Sequence, residues 1–206
     1  MLKIRVGIPS YDGKVTAPTQ ATINKLSTNK EYNFEVMKVS GTFCSLARDI
    51  SSLPVPSQGG GKIKQVMPYD YYLAMDSDTA FDIDNVKRLL AADKDIIGGA
   101  YIYRSGFAEY IVAGMFDTVP GDSPKSKNFN VWEHGLRECD WCGAGCMLIK
   151  KHVFETLDFP YWRNRIVVKG DMANQTTEDI GFCMAAKEAG FKIWIDLDNR
   201  IAHIAH

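Results

Sequence analysis

The run Tyr71-Tyr72-Leu73-Ala74-Met75 passes directly into Asp76-Ser77-Asp78. Five residues without a charge leave no face for water, so the run predicts a strand covered on both sides, inside a sheet and not at its edge. Two carboxylates then emerge at that strand's carboxyl end, where open α/β sheets form their crevices. Burying such a strand requires a proper core. With 206 residues, 46% of them hydrophobic and 24% charged, the chain can build one, which predicts one globular domain over 1–206 and excludes disorder as its main state.

The flanking segments predict what surrounds that strand. Leu2 to Ile8 alternate apolar and polar up to Pro9, so a strand should end at the loop Pro9-Ser10-Tyr11-Asp12-Gly13. A weakly amphipathic helix from Thr16 to about Lys30 and a strand over Phe34 to Val39 complete a parallel strand, helix, strand unit. Phe43 to Leu53 reads as a short helix ended by Pro54 and Pro56, ahead of Ser57-Gln58-Gly59-Gly60-Gly61, which has the composition of a mobile loop. Beyond Asp78, Ile83, Val86, Leu89 and Leu90 fall at helical spacing behind an N-cap at Asp82 or Asp84. Asp95 to Tyr103 and Glu109 to Phe116 read as strands able to pair, Thr118 to Asn130 as a polar surface loop, and Leu136 to Lys151 as a stretch that turns strongly apolar at Met147-Leu148-Ile149. A helix from Thr176 to Gly190 carries Thr176 and Asp179 as a capping box, and Ile193-Trp194-Ile195 forms the final strand. The class is therefore α/β, with a mixed, mostly parallel central sheet flanked by helices.

Charge and thiol usage remove several functions. Twenty-four Lys and Arg against 25 Asp and Glu leave no broad basic field, which argues against nucleic-acid binding. No apolar stretch reaches the roughly 18 to 20 residues that span a bilayer, and Met1-Leu2-Lys3-Ile4-Arg5 enters a strand and not a signal peptide's apolar core, so the reading is cytoplasmic. Five Cys suit reduced thiols better than a disulfide framework. Cys139, Cys142 and Cys146 form C-x2-C-x3-C, but no fourth ligand follows at a zinc-ribbon spacing, and they read as small hydrophobes. Gly143 and Gly145 beside them mark a close approach of the backbone to a ligand or another element. The Walker loop, Gly-x-Gly-x-x-Gly and Gly-x-Ser-x-Gly are all absent.

What remains is acidic. Asp76 and Asp78 offer hard oxygens suited to Mg²⁺ or Mn²⁺ that share their coordination with substrate phosphates, while the bland alternative is a turn with an N-cap. Glu178-Asp179 opens a helix, where acids either serve the helix dipole or divide labour, one held by backbone amides and the other facing a cleft as a general base. His203 and His206 follow the last strand, as structural histidines or as ligands.

The order of these pieces resembles the GT-A glycosyltransferases, nucleotide-sugar-dependent enzymes on a Rossmann-like sheet, and among them the family 2-like inverting enzymes. The matching segments are Val6-Gly7-Ile8-Pro9-Ser10-Tyr11, Ser45-Leu46-Ala47-Arg48-Asp49, Tyr72 to Asp78, Trp141 to Ile149, and Glu178-Asp179-Ile180-Gly181-Phe182-Cys183, with Ala189 to Ile193 leading to His203. The resemblance implies a single GT-A domain. It places Pro9, Ser10 and Tyr11 under the nucleoside, Arg48 near the nucleoside or diphosphate, and Asp76 with Ser77 toward the ribose or a metal-bound water. The set for Mn²⁺ or Mg²⁺ would be Asp76, Asp78 and His203, with Asp78 a direct ligand, His203 the third protein ligand and His206 its substitute. Asp179, with Glu178 beside it, would be the general base, and Trp141, Cys142 and Gly143 would face donor sugar and acceptor.

The implied reaction is hexosyl transfer from a UDP- or GDP-sugar to the hydroxyl of a glycan, protein or small molecule, with inversion if Asp179 removes the acceptor's proton; under retention Asp179 would have another job, such as binding the acceptor. Two departures stand out: Arg48 is followed by Asp49 and then the Pro- and Gly-rich stretch 54–61, and the sequence stops three residues after His203. The second leaves the acceptor to a minimal site or to another subunit of a homo-oligomer. A nucleotidyltransferase would carry a Gly-rich basic loop where Pro9-Ser10-Tyr11-Asp12-Gly13-Lys14 stands, and a non-catalytic nucleotide-sugar-binding module would keep the fold without turnover.

Overall fold

The computed structural model describes residues 1–54, 66–103, 109–116, 126–169 and 171–204. The chain runs through β1 (Lys3–Ser10), α1 (Ala17–Ser27), β2 (Asn33–Ser40), α2 (Cys44–Ser52), β3 (Tyr71–Met75), β4 (Thr79–Ala80), α3 (Ile83–Ala91), β5 (Ile96–Ala100), β6 (Tyr110–Phe116) and β7 (Ser126–Asn130). It continues through β8 (Leu136–Cys139), β9 (Trp141–Cys142), β10 (Cys146–Lys150), α4 (Lys151–Thr156), β11 (Ile166–Lys169), β12 (Met172–Gln175), α5 (Glu178–Glu188), β13 (Ile193–Arg200) and β14 (Ala202–His203).

Seven strands form a central mixed sheet in the order β2-β1-β3-β10-β5-β13-β8. β1 pairs parallel with β2 and β3, and β5 with β13, whereas β10 is antiparallel to both β3 and β5, and β8 is antiparallel to β13. The strands buried on both faces explain this order. In β3, Tyr72 and Ala74 enter one core with Met147 and Ile149 of β10, while Leu73 and Met75 enter a second core with Cys146 and Leu148. The period-2 alternation of a strand sends neighbours to opposite faces, and because both faces are apolar the sheet is covered on both. α1 and α3 cover one face through Leu26, Val86 and Leu89. α4 and α5 cover the other through Phe154, Phe182 and Ala186.

Several expectations change at this level. The polar residues of β1 do not make a wet face: Arg5 is buried, its guanidinium paired with Glu35 at 2.9 Å and lying 4.9 Å from the centre of the Tyr69 ring. Among the described residues, the expected pairing of 95–103 with 109–116 is present as one antiparallel bridge, Ile102 with Ile111, beside which the Val112 amide donates to the Tyr101 carbonyl at 2.8 Å, while β6 pairs mainly with β7 and β9 in a separate sheet. Part of the expected surface loop over 118–130 is therefore strand β7. The capping box on Thr176 is absent, because the Thr176 hydroxyl accepts from the Arg165 amide at 2.9 Å and Thr177 is the N-cap. Asp82 does cap α3, with Asn85 completing its capping box. The stretch Gly59 to Gly61 and His206 lie outside the described residues.

No helix among the described residues is long and apolar enough to cross a membrane.

Candidate active site

Because β1 and β3 run parallel and Gly7 pairs with Ala74, the ends of both strands, Pro9-Ser10 and Asp76, arrive side by side. β10 runs the other way, starting with Cys146 opposite Met75, so the turn before it reaches the same edge, and the Asp76 amide donates to the Gly145 carbonyl at 3.3 Å. The last strand, β14, pairs His203 with Thr79, and the Ile204 amide donates to the Asp78 carbonyl at 2.8 Å. From the other side, the Thr16 amide donates to the Ser77 carbonyl at 2.9 Å. Three separate segments thus hold the Asp76-Ser77-Asp78 turn by backbone hydrogen bonds, with the end of β1 beside it.

A cleft of about 460 Å³ opens over this turn. Its walls are Pro9, Ser10 and Tyr11 from β1 and the residue after it, Thr42, Phe43, Cys44 and Arg48 from the start of α2, Asp76, Ser77 and Asp78, and Thr177, Glu178 and Asp179 from the start of α5. Nine of the residues singled out in the sequence therefore line one cavity: Pro9, Ser10, Tyr11, Arg48, Asp76, Ser77, Asp78, Glu178 and Asp179. Ser10 is buried and donates to the Lys14 carbonyl, which shapes the loop, while Tyr11 and Phe43 stand 88% and 84% exposed at the mouth.

Arg48 is 2% exposed and its guanidinium is shared out: Nη2 donates to Asp76 Oδ1 at 2.5 Å, Nε to Glu178 Oε1 at 3.2 Å, and Nη1 to the Ala144 carbonyl at 3.4 Å. Burying a cation is tolerable only with such partners. The Cys44 thiol, one turn earlier on the same helix, donates to the same Glu178 oxygen at 3.1 Å. Asp49, next along, turns away and accepts from the amides of Tyr161 and Trp162 at 2.8 and 3.1 Å.

The two acids of α5 diverge. Burial works to raise the Glu178 pKa, but the Arg48 charge and the hydrogen bonds from Cys44, its own amide and Arg48 bring it below the ordinary Glu value. Asp179 moves the opposite way. Burial first and the neighbouring Glu178 charge second raise its pKa, against the hydrogen bond donated by Thr177, the Arg48 charge and the Ile180 amide, whose nitrogen lies 2.8 Å away. A half-buried carboxyl with raised proton affinity on a cleft wall is suited to taking up a proton.

Asp78 is buried, and its Oδ1 lies 3.7 Å from His203 Nε2. His203 Nδ1 lies 2.8 Å from the Ile102 carbonyl oxygen. A carbonyl only accepts, so Nδ1 carries the hydrogen and Nε2 is the ring atom turned to Asp78. The ring also meets Tyr101 edge to face at 5.1 Å, and the Tyr101 hydroxyl accepts the Gly145 amide at 3.0 Å. An imidazole nitrogen facing a carboxylate, oriented by a carbonyl behind it, has the chemistry of a divalent-cation donor pair. Among the described residues, no group of three or more His, Cys, Asp or Glu is arranged to hold a metal ion. Any cation here would take its remaining ligands from substrate and water.

Trp141, Cys142 and Gly143 are not among the residues that line this cleft. Trp141 and Cys142 are buried in the main core, and a Cβ on Gly143 would fall 2.0 Å from the Tyr101 hydroxyl. The element that approaches this glycine is Tyr101. Reading the sequence missed Tyr101, Phe43, Cys44 and Thr177. Cys44 carries a usable signal, since it stands four residues before Arg48 and shares its helix face. Tyr101 carries none, because its position depends on strand order.

No family model and no curated protein sequence matches the chain. Solved structures do. The crystal structure of A197 from STIV matches with a TM-score of 0.55 at 18% identity, over 100% of this chain and 97% of that one. The crystal structure of GalNAc-T7 with UDP, GalNAc and Mn²⁺ matches with a TM-score of 0.58 at 12% identity, over 100% of this chain and 44% of that one. The chain thus spans less than half of the GalNAc-T7 chain. At 18% and 12% identity the likeness is one of fold alone.

Proposed function

We propose that residues 1–206 form a single, Rossmann-like GT-A domain that transfers a hexosyl group from a nucleoside-diphosphate sugar to an acceptor hydroxyl, with inversion. One observation carries this reading: Asp76, Asp78 and Asp179, from distant parts of the sequence, line one cleft at the carboxyl ends of β1 and β3. The fold likeness to a protein crystallised with UDP, GalNAc and Mn²⁺ supports it and makes UDP-sugars the first donors to try.

The nucleoside would rest on Pro9, Ser10 and Tyr11, with its diphosphate toward Asp76, Ser77 and Asp78. Mn²⁺ or Mg²⁺ would be held by Asp78 and His203 and, when bound, would neutralise the charge that develops on the departing diphosphate. Asp179 takes the acceptor's proton. As the acceptor oxygen bonds to the anomeric carbon from the face opposite the leaving group, the carbon–oxygen bond to the diphosphate breaks and its electron pair leaves with the phosphate. The raised proton affinity of Asp179 suits this task.

The test is release of nucleoside diphosphate from a panel of UDP- and GDP-sugars with Mn²⁺. Asp78→Ala should lower release by about 10²- to 10³-fold and abolish the rise in Tm that Mn²⁺ with UDP gives the wild-type chain. A wild-type chain showing neither release nor any nucleotide-dependent Tm shift would overturn the proposal.

A further inference from the structure

Resting on the transferase reading, we infer that Arg48 is a positioning residue: it acts as a strut that fixes the donor-side acid Asp76 and the base-bearing helix α5 at one spacing, and is not a ligand of the nucleotide. Its three guanidinium nitrogens are already committed to Asp76, Glu178 and the Ala144 carbonyl, which lie 28, 130 and 96 residues away in sequence. At 2% exposure the side chain has little surface left for a diphosphate.

The strut reaches α5 twice. Nε holds Glu178 at the helix start, while the guanidinium lies 5.3 Å from the Trp162 ring, which stacks on Phe182 of the same helix at 4.3 Å and 16°. Arg48 therefore ties both the first turn of α5 and its inner face to the turn after β3. A planar fork can hold two carboxylates at fixed angles. A lysine ammonium on the same stem is a single point and cannot reproduce both bonds.

The consequence is kinetic. The donor is placed by the turn and the proton acceptor by α5, so the distance between them is set by Arg48. Loss of near-attack geometry costs turnover more than binding, and a displacement of about 1 Å costs on the order of 10²-fold. Glu178 is then the far anchor of the strut, leaving Asp179 as the group that faces the acceptor.

The experiment compares wild type, Arg48→Lys, Glu178→Gln and the double variant, using the UDP- or GDP-sugar that the wild-type chain turns over with Mn²⁺. Arg48→Lys should lower kcat about 10- to 100-fold with donor KM within about 3-fold of wild type, and Glu178→Gln should do the same. The double variant should be no slower than the slower single one, and the Tm losses should likewise fail to add, as expected of residues joined in one contact. A raised KM with unchanged kcat makes Arg48 a donor ligand and overturns the inference. So do unchanged kinetics or losses that multiply.

A wild-type chain without turnover sinks the transferase reading and this role together, and non-additive Tm losses would then report only a structural ion pair. If Arg48→Lys does not fold, Glu178→Gln decides: a fall in kcat at constant KM supports the strut, and unchanged kcat overturns it.

Discussion

The turn after β3 and the first turn of α5 each present two acids to the cleft, and in each one acid is tied to Arg48 while the other has partners of its own. Asp76 and Glu178 take the guanidinium, whereas Asp78 faces His203 and Asp179 accepts from Thr177 and the Ile180 amide. The difference lies in what fixes them. Backbone hydrogen bonds to three segments, at Thr16, Gly145 and Ile204, hold the turn, which suits a site that must keep negative charge in place. The helix start is held through side chains and one close packing contact, and there adjacent carboxyls are pushed apart, Glu178 down and Asp179 up. Neighbouring carboxyls given different surroundings do different work: one keeps its charge and the other can accept a proton.

Asp179→Asn tests that division most severely. Transfer should fall about 10²- to 10⁴-fold, the usual contribution of a general base, while the Tm rise with Mn²⁺ and UDP stays. In the wild-type chain kcat should rise with pH through a value above the ordinary Asp range, since only the ionised base accepts a proton, and the Asn variant should lose that rise. Loss of the Tm response as well would erase the distinction between the two regions.

The fold was legible wherever the chemistry is local. The uncharged run Tyr71–Met75 reads as a doubly covered strand because nothing in it tolerates water, Met147-Leu148-Ile149 does the same beside it, and Asp82 announces α3. What stayed hidden depends on partners far away. Arg5 looks like a solvent-facing residue until Glu35 and Tyr69 cover it, and Ser126–Asn130 is too polar to read as strand without β6 beside it. Thr176 matches a cap but is claimed by Arg165. At the site, the acids were legible from their position after apolar strands or at a helix start. The spent guanidinium of Arg48 and the wedge of Tyr101 were not, because their partners are set by strand order. Trp141 and Cys142 sit in a turn-like motif yet pack inward.

A smaller effect should follow from moving the helix start alone. Gly181 lies in the first turns of α5, where Ala would ordinarily be better by up to about 1 kcal/mol. Here an added Cβ would fall 1.9 Å from the Arg163 carbonyl oxygen, and backbone cannot swing aside like a side chain. Gly181→Ala should therefore cost about 1–3 kcal/mol of stability in denaturant unfolding, the usual penalty of overpacking. It should also lower kcat while leaving the Mn²⁺ and UDP response of the turn intact. A stabilised variant would mean that Arg163 yields and that α5 is not anchored there.

An effect confined to stability concerns the acid that Arg48 leaves alone. Burial raises the Asp49 pKa to about 6, against the pull of the Trp162 and Tyr161 amides and the Arg163 charge. A native carboxyl that holds its proton more tightly than the unfolded chain adds stability at low pH, and that contribution drains away as pH rises from near 4 through 6. Asn at this position keeps an oxygen for the two amides and has no charge to bury. Asp49→Asn should therefore gain on wild type across that interval by roughly 1–3 kcal/mol, the worth of a shift of one to two pH units, and run parallel to it above pH 7. If the two stability curves stay parallel from pH 4 to 7, Asp49 is ionised throughout and the two amides outweigh its burial. The contrast between Glu178 and Asp179, in which burial raises a carboxyl that has no direct ion pair with Arg48, would then hold only at the cleft.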